Sequence, residues 1–253
     1  MQYRINQKEG FYFFLKIIST VLLLGALGLV LKSFPKAIAI VGVFAFYAGM
    51  IAFFFFVRNG MLIGFLRGSC VRITSDQFPD IYAIYESHCH TLNLVKPPSL
   101  YIMESGGVLN AFATRFIGKD YIVILSDVLE AAYEDGLDAV SFIIAHELGH
   151  VKQKHMTKNF LTFPSLIVPF LQGAYSRACE YTCDNIGHSL NAAGAVKGML
   201  ILSVGKSLQK KVKLDKFLED SEQQTGFWIW FSQVLMSHPF YPRRIRNLQK
   251  ISV

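Results

Sequence analysis

The sequence predicts an α+β protein that is mostly helical, with a small β-sheet and an N-terminal transmembrane helical hairpin. Two long apolar runs stand near the N-terminus, and behind them apolar residues recur mainly at helical spacing. The composition agrees, because 52% of the 253 residues are hydrophobic and only 17% are charged. Soluble domains contain about 25% charged residues, so part of this chain is expected to leave water.

The membrane hairpin is expected to occupy residues 1–58. Its first run, residues 11–31, is apolar except for Lys16 and two hydroxyl residues, and its second run, residues 37–57, carries no charge. Each run has about the 20 residues that a bilayer core requires. Lys16 is expected to extend to the lipid headgroups. A cleaved signal peptide is the alternative for the first run, but no small-residue cleavage site follows it.

The charge pattern predicts the membrane orientation and the partners. The net charge is +7, and the basic residues are dispersed, which favours a lipid bilayer over nucleic acid as a partner. More positive charge flanks the outer ends of the hairpin than its turn, so both chain ends are expected in the cytoplasm, in an inner or plasma membrane. The four cysteines form no C-x-x-C pair and are typical of a reducing compartment. Residues 59–253 are therefore expected to form one cytoplasmic domain.

The first part of that domain is expected to contain one helix and a small sheet. Residues 77–94 show an amphipathic helical pattern that includes His88-Cys89-His90. Neighbouring residues on a helix point apart, so these histidines are expected to be core or surface residues. Three strand-like runs follow, separated by Gly106-Gly107 and by Gly118-Lys119-Asp120. The predicted strands are 100–103, 109–114 and 121–125.

The pattern H-E-x-x-H, formed by His146, Glu147 and His150, is the strongest chemical signal. It lies in residues 137–151, which have helical periodicity, with Asp135 upstream as a candidate N-cap. Residues four apart share a helix face, so both imidazoles can hold Zn²⁺ with one position open to water. Glu147 is one step around the helix, where it can serve as a general base. A chance match on a solvated helix is the alternative.

A second pair of residues four apart, Glu180 and Asp184, offers a third ligand. Glu180 can complete a His₂Glu site, and Asp184 can accept a proton from the far nitrogen of a liganding histidine. An ordinary acidic helix face is the alternative. Cys183 could displace the carboxylate as a ligand, although a buried thiol is the commoner case. His155 falls off the ligand face and is expected to be a polar residue near the helix end.

Four motifs stand in the chain: His146-Glu147-Leu148-Gly149-His150, Ser176-Arg177 with Glu180 and Asp184, Asn110-Ala111-Phe112-Ala113, and His238-Pro239 followed by Arg244-Ile245 and Leu248. Together they resemble the M48 zinc metalloproteases, in particular the HtpX-like membrane-bound members. The resemblance runs from about residue 77 to the C-terminus. It implies a gluzincin-type zinc metalloprotease domain, one Zn²⁺ per chain on two histidines and Glu180, and Glu147 as the catalytic base.

The resemblance also implies a substrate site. In the family the strand Asn110-Ala111-Phe112-Ala113 borders the cleft, where it could pair with an extended peptide; an internal strand of the sheet is the alternative. His238 and Arg244 are implied to approach the metal, where one could stabilise the oxyanion. A helix-boundary histidine and a surface arginine are the alternative. Residues 160–171 are too short to span a membrane and are expected to form an interfacial or cleft-covering hairpin.

The expected function is that of a membrane-anchored zinc-dependent endopeptidase. Its substrates would be polypeptides, above all membrane or misfolded proteins, because the family is associated with membrane-protein quality control. A non-catalytic, membrane-anchored zinc-binding scaffold is the alternative, although binding alone would not require Glu147. The prenyl-peptide-processing branch of the family is a poor match, since its members are much longer and have several more spans.

Overall fold

Helices dominate the structure, a computed structural model that describes residues 3–104, 106, 110–205 and 207–251. The predicted class, mostly helical α+β with a small sheet, is confirmed. The helices are α1 (Gln7–Ser33), α2 (Ala37–Ser69), α3 (Pro79–Thr91), α4 (Ser126–Asp135), α5 (Asp138–Lys152), α6 (His155–Leu161), α7 (Leu171–Leu190), α8 (Ala195–Val204), α9 (Leu214–Gln223), α10 (Phe227–Leu235) and α11 (Tyr241–Gln249). The strands are β1 (Val71–Arg72), β2 (Ser99–Met103), β3 (Ala111–Phe116) and β4 (Lys119–Leu125), and short 3-10 helices cover Phe163–Ile167 and Gln209–Lys211.

The four strands form one mixed sheet in the order β1-β2-β4-β3. β2 and β4 are parallel, and β3 pairs antiparallel with β4 as a hairpin, which leaves β3 at one edge. The predicted turn Gly118-Lys119-Asp120 is shifted in the structure. Ile117 and Gly118, both with positive φ, form a two-residue turn that matches the strand twist, while Lys119 and Asp120 already belong to β4. Gly107 and Leu109, named in the strand predictions, lie outside the described residues.

Helices α1 and α2 are two candidate membrane spans. Both have a mean hydropathy of 2.4 in their most apolar window, and only 11% and 0% of those windows are buried. The core helix of a soluble protein would be mostly buried, so these outward-facing apolar surfaces indicate contact with lipid. Both helices exceed the predicted spans. The predicted boundary at residue 58 falls inside α2, whose last turns add Ile63 and Leu66 to a small core against the sheet.

The N-terminal half of α1 packs against α7 and the 3-10 helix before it. Lys16 is fully buried there and donates to Asn159 Oδ1 at 2.7 Å and to Gln172 Oε1 at 2.6 Å. Its ammonium also lies 4.6 Å from the centre of the Tyr175 ring. The expectation that Lys16 extends to the headgroups is therefore wrong, because protein oxygens and an aromatic face replace the water around its charge.

Helix α5 forms the centre of the domain, between α3, α7, α8 and β3. Twelve of its 15 residues are buried, so the face with the H-E-x-x-H pattern looks into the protein. The helix agrees within one residue with the predicted range 137–151. The expectation of Asp135 as N-cap is wrong, because Asp135 ends α4 and Leu137 takes the N-cap position without a side-chain hydrogen bond.

The apolar segment of residues 160–171 lies on the outer surface beside α1. Phe160 and Ile167 are 79% and 75% exposed, and the 3-10 helix between them packs against α1. The large cavity of the domain is lined by other residues, so the segment does not cover the cleft. Its position at the membrane interface stays a prediction.

Gly194 allows the start of α8 to approach the start of α5. A Cβ at this residue would lie 1.9 Å from the carbonyl oxygen of Asp138, and this backbone atom cannot move aside without shifting α5. We expect Gly194→Ala to lower the free energy of unfolding by at least about 1–3 kcal/mol through overpacking. Thermal unfolding of the purified chain in detergent measures this loss. Gly68→Ala is the control, because a Cβ there meets nothing within 4 Å; equal losses would contradict the close approach.

His88 connects α3 to α5 through a buried hydrogen bond of 2.9 Å between its Nε2 and Ser141 Oγ, while its neighbour His90 is exposed. Burial lowers the pKa of His88 below the ordinary value of 6.5, against the opposing effect of the Ser141 hydrogen bond. The unfolded chain then binds the proton more readily, so stability falls as the pH drops below that value.

We therefore expect a pH-dependent contribution of His88 to stability. Between about pH 7.5 and 5.5, the free energy of unfolding should fall less steeply in His88→Phe than in the wild type, by up to about 1.4 kcal/mol per pH unit. Chemical denaturation of both proteins across this range measures the two slopes. Identical slopes would show that the histidine takes up its proton equally well when folded.

Candidate metal centre

Two helices bring the three predicted metal ligands together. α5 carries His146 and His150, and α7 crosses it with Glu180 facing them. The two Nε2 atoms lie 3.3 Å apart, and Glu180 oxygens lie 3.4 Å from His146 Nε2 and 3.3 Å from His150 Nε2. His146 and Glu180 are buried, and His150 is partly exposed.

These separations fit the donor set of a tetrahedral zinc site. Nitrogen and oxygen ligands about 2.0–2.1 Å from a central ion would lie about 3.3–3.4 Å from one another. The separation of the two Nε2 atoms lies in this range, and so does one contact from each histidine to Glu180, through Oε2 for His146 and Oε1 for His150. Two imidazoles and one carboxylate are also a ligand combination that Zn²⁺ uses in hydrolytic enzymes.

A small residue allows the two helices to come this close. A Cβ at Gly149 would lie 3.2 Å from both Cα and Sγ of Cys183 on α7, so the glycine of the motif sits directly against that residue. Burial, followed by the charge of Glu180, raises the pKa of the Cys183 thiol well above its usual value. A neutral thiol is a poor metal ligand, which argues against Cys183 displacing the carboxylate.

Asp184 and Arg244 support the ligands from behind. Asp184 Oδ1 lies 2.9 Å from His146 Nδ1, and Arg244 donates to both oxygens of Asp184, at 2.6 and 2.8 Å. Arg244 Nη1 also lies 3.3 Å from Glu180 Oε2. Arg244 is 5% exposed, so the alternative of a surface arginine is wrong. The aspartate thus contacts a histidine that it was predicted to orient, and the arginine holds the aspartate.

The electrostatics of the centre favour additional positive charge. Burial alone would raise the pKa values of Glu180 and Asp184, but Arg244 and the neighbouring histidines hold both below their usual values. Burial would lower the pKa of His146, yet hydrogen bonds and charges from the two carboxylates raise it to about 10. In the metal-free centre the two buried carboxylates are balanced by Arg244 and a protonated His146, and a bound divalent cation would take the place of that proton.

A cavity of about 1070 Å³ opens onto the centre. Its lining includes Glu147, which is not among the three grouped ligands, and His238. The His238 side chain is 61% exposed, and its Nε2 lies 3.4 Å from Glu180 Oε1. Residues of α9 and α10, such as Phe217 and Ile229, also line this cavity. A substrate in this cavity would therefore meet both the predicted base and an exposed imidazole.

The edge strand β3 borders the same cavity. Asn110, Ala111, Phe112 and Ala113 all contribute to its lining. The alternative of an internal strand is wrong for the part of the chain that the structure describes, because β3 pairs there with β4 on one side only and ends the sheet. Its other edge is available for main-chain hydrogen bonds to an extended peptide.

Sequence reasoning missed His155 and Glu9 as parts of the centre. His155 was expected to be a polar residue near a helix end, but it is 3% exposed and lies against His150. The reason is that Lys154, with φ 56°, follows the end of α5 and redirects the chain into α6. Glu9 comes from α1, 146 residues away, and contacts His155. A glutamate just before an apolar run was the only signal in the sequence.

Two further groups of side chains among the described residues have ligand atoms within 4.8 Å of one another. They are His150 with His155 and Cys183, and Glu9 with His155 and Cys179. Burial raises the pKa values of both thiols, which disfavours the thiolates that a metal requires. The His146–His150–Glu180 group therefore remains the better candidate.

Comparison with known proteins agrees with this geometry. No curated protein matches the chain. Its fold is similar to the crystal structure of S. mikatae Ste24p, with a TM-score of 0.52 and 14% identity, over 94% of this chain and 66% of that one. The chain thus spans just under two thirds of that structure's length. The model of peptidase family M48 matches residues 75–170 and 159–252. Since these segments include most of the residues, the chain belongs to peptidase family M48.

Proposed function

We propose that the chain is a membrane-anchored, zinc-dependent endopeptidase that hydrolyses peptide bonds of polypeptides. One observation carries the proposal: nitrogen and oxygen atoms of His146, His150 and Glu180 lie 3.3–3.4 Å apart at the end of a large cavity. A zinc ion held there would polarise the scissile carbonyl and lower the pKa of a bound water molecule.

Glu147 is proposed as the general base and acid. Its carboxylate accepts a proton from the attacking water as the oxygen forms a bond to the carbonyl carbon. When the carbon–nitrogen bond breaks, Glu147 returns the proton to the leaving amine. Peptide hydrolysis is then balanced, with one water consumed and one carboxylate and one amine formed. Membership of a peptidase family supports this role over that of a zinc-binding scaffold.

His238 is proposed to stabilise the oxyanion, and Arg244 to position the ligands. His238 is exposed to the cavity, 3.4 Å from Glu180, so its imidazole can donate a hydrogen bond to the charged carbonyl oxygen. Arg244 has its guanidinium engaged by Asp184 and Glu180, and it acts on the reaction through them. Asp184 accepts a hydrogen bond from Nδ1–H of His146, which leaves the lone pair of Nε2 free to bind the metal.

The substrate is proposed to bind as a strand along the free edge of β3. Main-chain hydrogen bonds do not depend on the substrate sequence, which suits an enzyme that acts on varied, unfolded segments. Residues of α9 and α10 line the same cavity as this edge. Residues 1–58 anchor the enzyme and concentrate it near membrane or misfolded proteins, in keeping with a role in quality control.

Both ends of the chain are proposed to lie in the cytoplasm, at an inner or plasma membrane. The flanking charges favour this orientation, and the four cysteines are free among the described residues. A single cysteine added after Val253 to a chain with its native cysteines replaced by serine tests the orientation. Labelling of that cysteine in intact cells by an impermeant thiol reagent would contradict it.

Metal removal tests the proposed function. The chain purified in detergent should contain about one zinc per molecule and should cleave an unfolded, fluorescently labelled polypeptide. A chelator should abolish cleavage, and added Zn²⁺ should restore it while Mg²⁺ should not, because Mg²⁺ prefers oxygen ligands. Cleavage that persists after complete zinc removal would refute a metal-dependent mechanism.

A further inference from the structure

A series of three side chains in contact, His150, His155 and Glu9, connects the proposed metal site to the first membrane helix. His155 Nδ1 lies 3.0 Å from His150 Nδ1, and His155 Nε2 lies 3.1 Å from Glu9 Oε1. Both His155 and Glu9 are 3% exposed or less. Glu9 stands in the first turn of α1, 146 residues from His155 in the sequence.

If His150 binds a metal, the hydrogen-bond donors and acceptors in the series His150–His155–Glu9 are fixed. A ligating Nε2 must present its lone pair, so the ring proton of His150 lies on Nδ1 and is donated to His155 Nδ1. His155 then carries its proton on Nε2 and donates it to the Glu9 carboxylate. With one proton on each ring, the contact between the two rings and the contact between His155 and Glu9 are both hydrogen bonds with one donor and one acceptor.

The two metal-binding histidines are thus supported in parallel ways. His146 donates directly to the carboxylate of Asp184, and His150 donates to a carboxylate through a second imidazole. Each carboxylate has a cation beside it: Arg244 pairs with Asp184, and Lys158 Nζ lies 3.0 Å from Glu9 Oε1.

The start of α1 is held firmly enough to carry such a role. The Asn6 side chain caps α1 by accepting from the backbone amide of Lys8, and the backbone N–H of Asn6 donates to Thr182 Oγ1 of α7 at 3.0 Å. Asn185, also on α7, donates to the carbonyl oxygen of Arg4 at 2.7 Å. Glu9 is therefore fixed against the same helix that provides Glu180 and Asp184.

We propose that His155 and Glu9 are positioning residues for His150, so that the first membrane helix supplies part of the support for the metal site. The inference rests on the proposed function, since it requires His150 to ligate zinc. Partners that orient a liganding histidine typically change metal affinity by about 10–100-fold when they are removed. The N-terminal helix is then a structural requirement for metal binding as well as an anchor.

A second metal ion on Glu9, His155 and Cys179 would explain the same cluster differently. Glu9 Oε2 is buried without a hydrogen-bond partner among the described residues, which would leave it available to a metal. Against this, Lys158 places a positive charge 3.0 Å from the other oxygen of Glu9, which opposes the binding of a second cation there. The number of zinc ions per chain separates the two explanations.

The experiment measures zinc affinity of the full chain in detergent by competition with a chromophoric chelator. His155→Phe removes the hydrogen bonds to His150 and Glu9, and Glu9→Gln removes the negative charge of the carboxylate that His155 contacts. His155→Asn keeps an acceptor near the Nδ1 position. His88→Phe is the matched control, because it also replaces a buried histidine that contacts α5. Thermal unfolding of each zinc-free variant shows that it is folded, and Co²⁺ absorption spectra report the ligand geometry.

The proposal predicts that zinc affinity falls about 10–100-fold in His155→Phe and about 10-fold in Glu9→Gln. His155→Asn should recover part of the loss, the Co²⁺ bands should change in the two weakened variants, and His88→Phe should bind zinc as the wild type does. If His155→Phe fails to fold, Glu9→Gln decides alone.

Two results would overturn the inference while leaving the proposed function intact. One is that the wild type binds zinc and that the zinc affinities of His155→Phe and Glu9→Gln both stay within about 3-fold of the wild-type value. The other is a second zinc ion in the wild type that Glu9→Gln removes. A wild-type chain that binds no zinc would overturn the proposed function and this inference together.

Discussion

Glu147→Gln is expected to reduce peptide cleavage by at least about 10²–10⁴-fold, the usual contribution of a general base. The glutamine amide has nearly the same shape as the carboxylate, but it cannot take a proton from water and return it to the leaving amine. Glu147 lines the cavity and does not belong to the ligand group of His146, His150 and Glu180. Zinc content and thermal stability should therefore stay at the wild-type level.

The measurement is cleavage of an unfolded labelled polypeptide, with zinc determined on the same preparations. Glu134→Gln is the control, because Glu134 is an exposed glutamate of α4, and it should leave the rate unchanged. A rate near the wild type in Glu147→Gln would exclude this residue as the base. If the wild type binds zinc and never cleaves, the scaffold alternative becomes the better account.

Arg244→Met should destabilise the zinc-free protein by about 3–5 kcal/mol, the cost of leaving a buried charge without its partner. Asp184 is fully buried and loses two hydrogen bonds, and Glu180 loses its nearest cation. Methionine fills a similar volume, so the loss should come from the carboxylates and not from a cavity. The stability of Arg244→Lys should lie between those of the wild type and Arg244→Met, because lysine keeps the positive charge but cannot bind both oxygens of Asp184 at once.

Chemical denaturation of the zinc-free variants measures this effect. Arg243→Met is the matched control, because Arg243 is the preceding residue of α11 and is exposed. Exposed positions usually change stability by less than about 0.5 kcal/mol. Equal losses in Arg243→Met and Arg244→Met would mean that the guanidinium of Arg244 is not needed to compensate Asp184 and Glu180.

The parts of the centre that could be predicted are those within single helices. His146 and His150 are four residues apart, and so are Glu180 and Asp184, and this spacing by itself puts each pair on one helix face. The 3.6-residue periodicity also located α5 within one residue of its observed start and end. Neither pattern predicts that α7 packs against α5. That expectation came from the resemblance to a family.

The contributions of α1 could not be predicted, because they depend on contacts between distant parts of the chain. Lys16 in an apolar run has the same local pattern whether it extends to headgroups or binds Asn159 and Gln172. Glu9 likewise resembles an ordinary charged residue in front of a membrane span. His155 is redirected by the left-handed backbone of Lys154, and lysine gives no local signal for such a turn.

The central claim is that His146, His150 and Glu180 share one zinc ion, and X-ray absorption at the zinc K-edge tests it most directly. We expect about one zinc per chain, surrounded only by nitrogen and oxygen at about 2.0–2.1 Å, with the imidazole scattering of two histidines. Glu180→Ala should abolish this signal or release the metal. A sulfur shell at about 2.3 Å, or an unchanged spectrum in Glu180→Ala, would contradict the account.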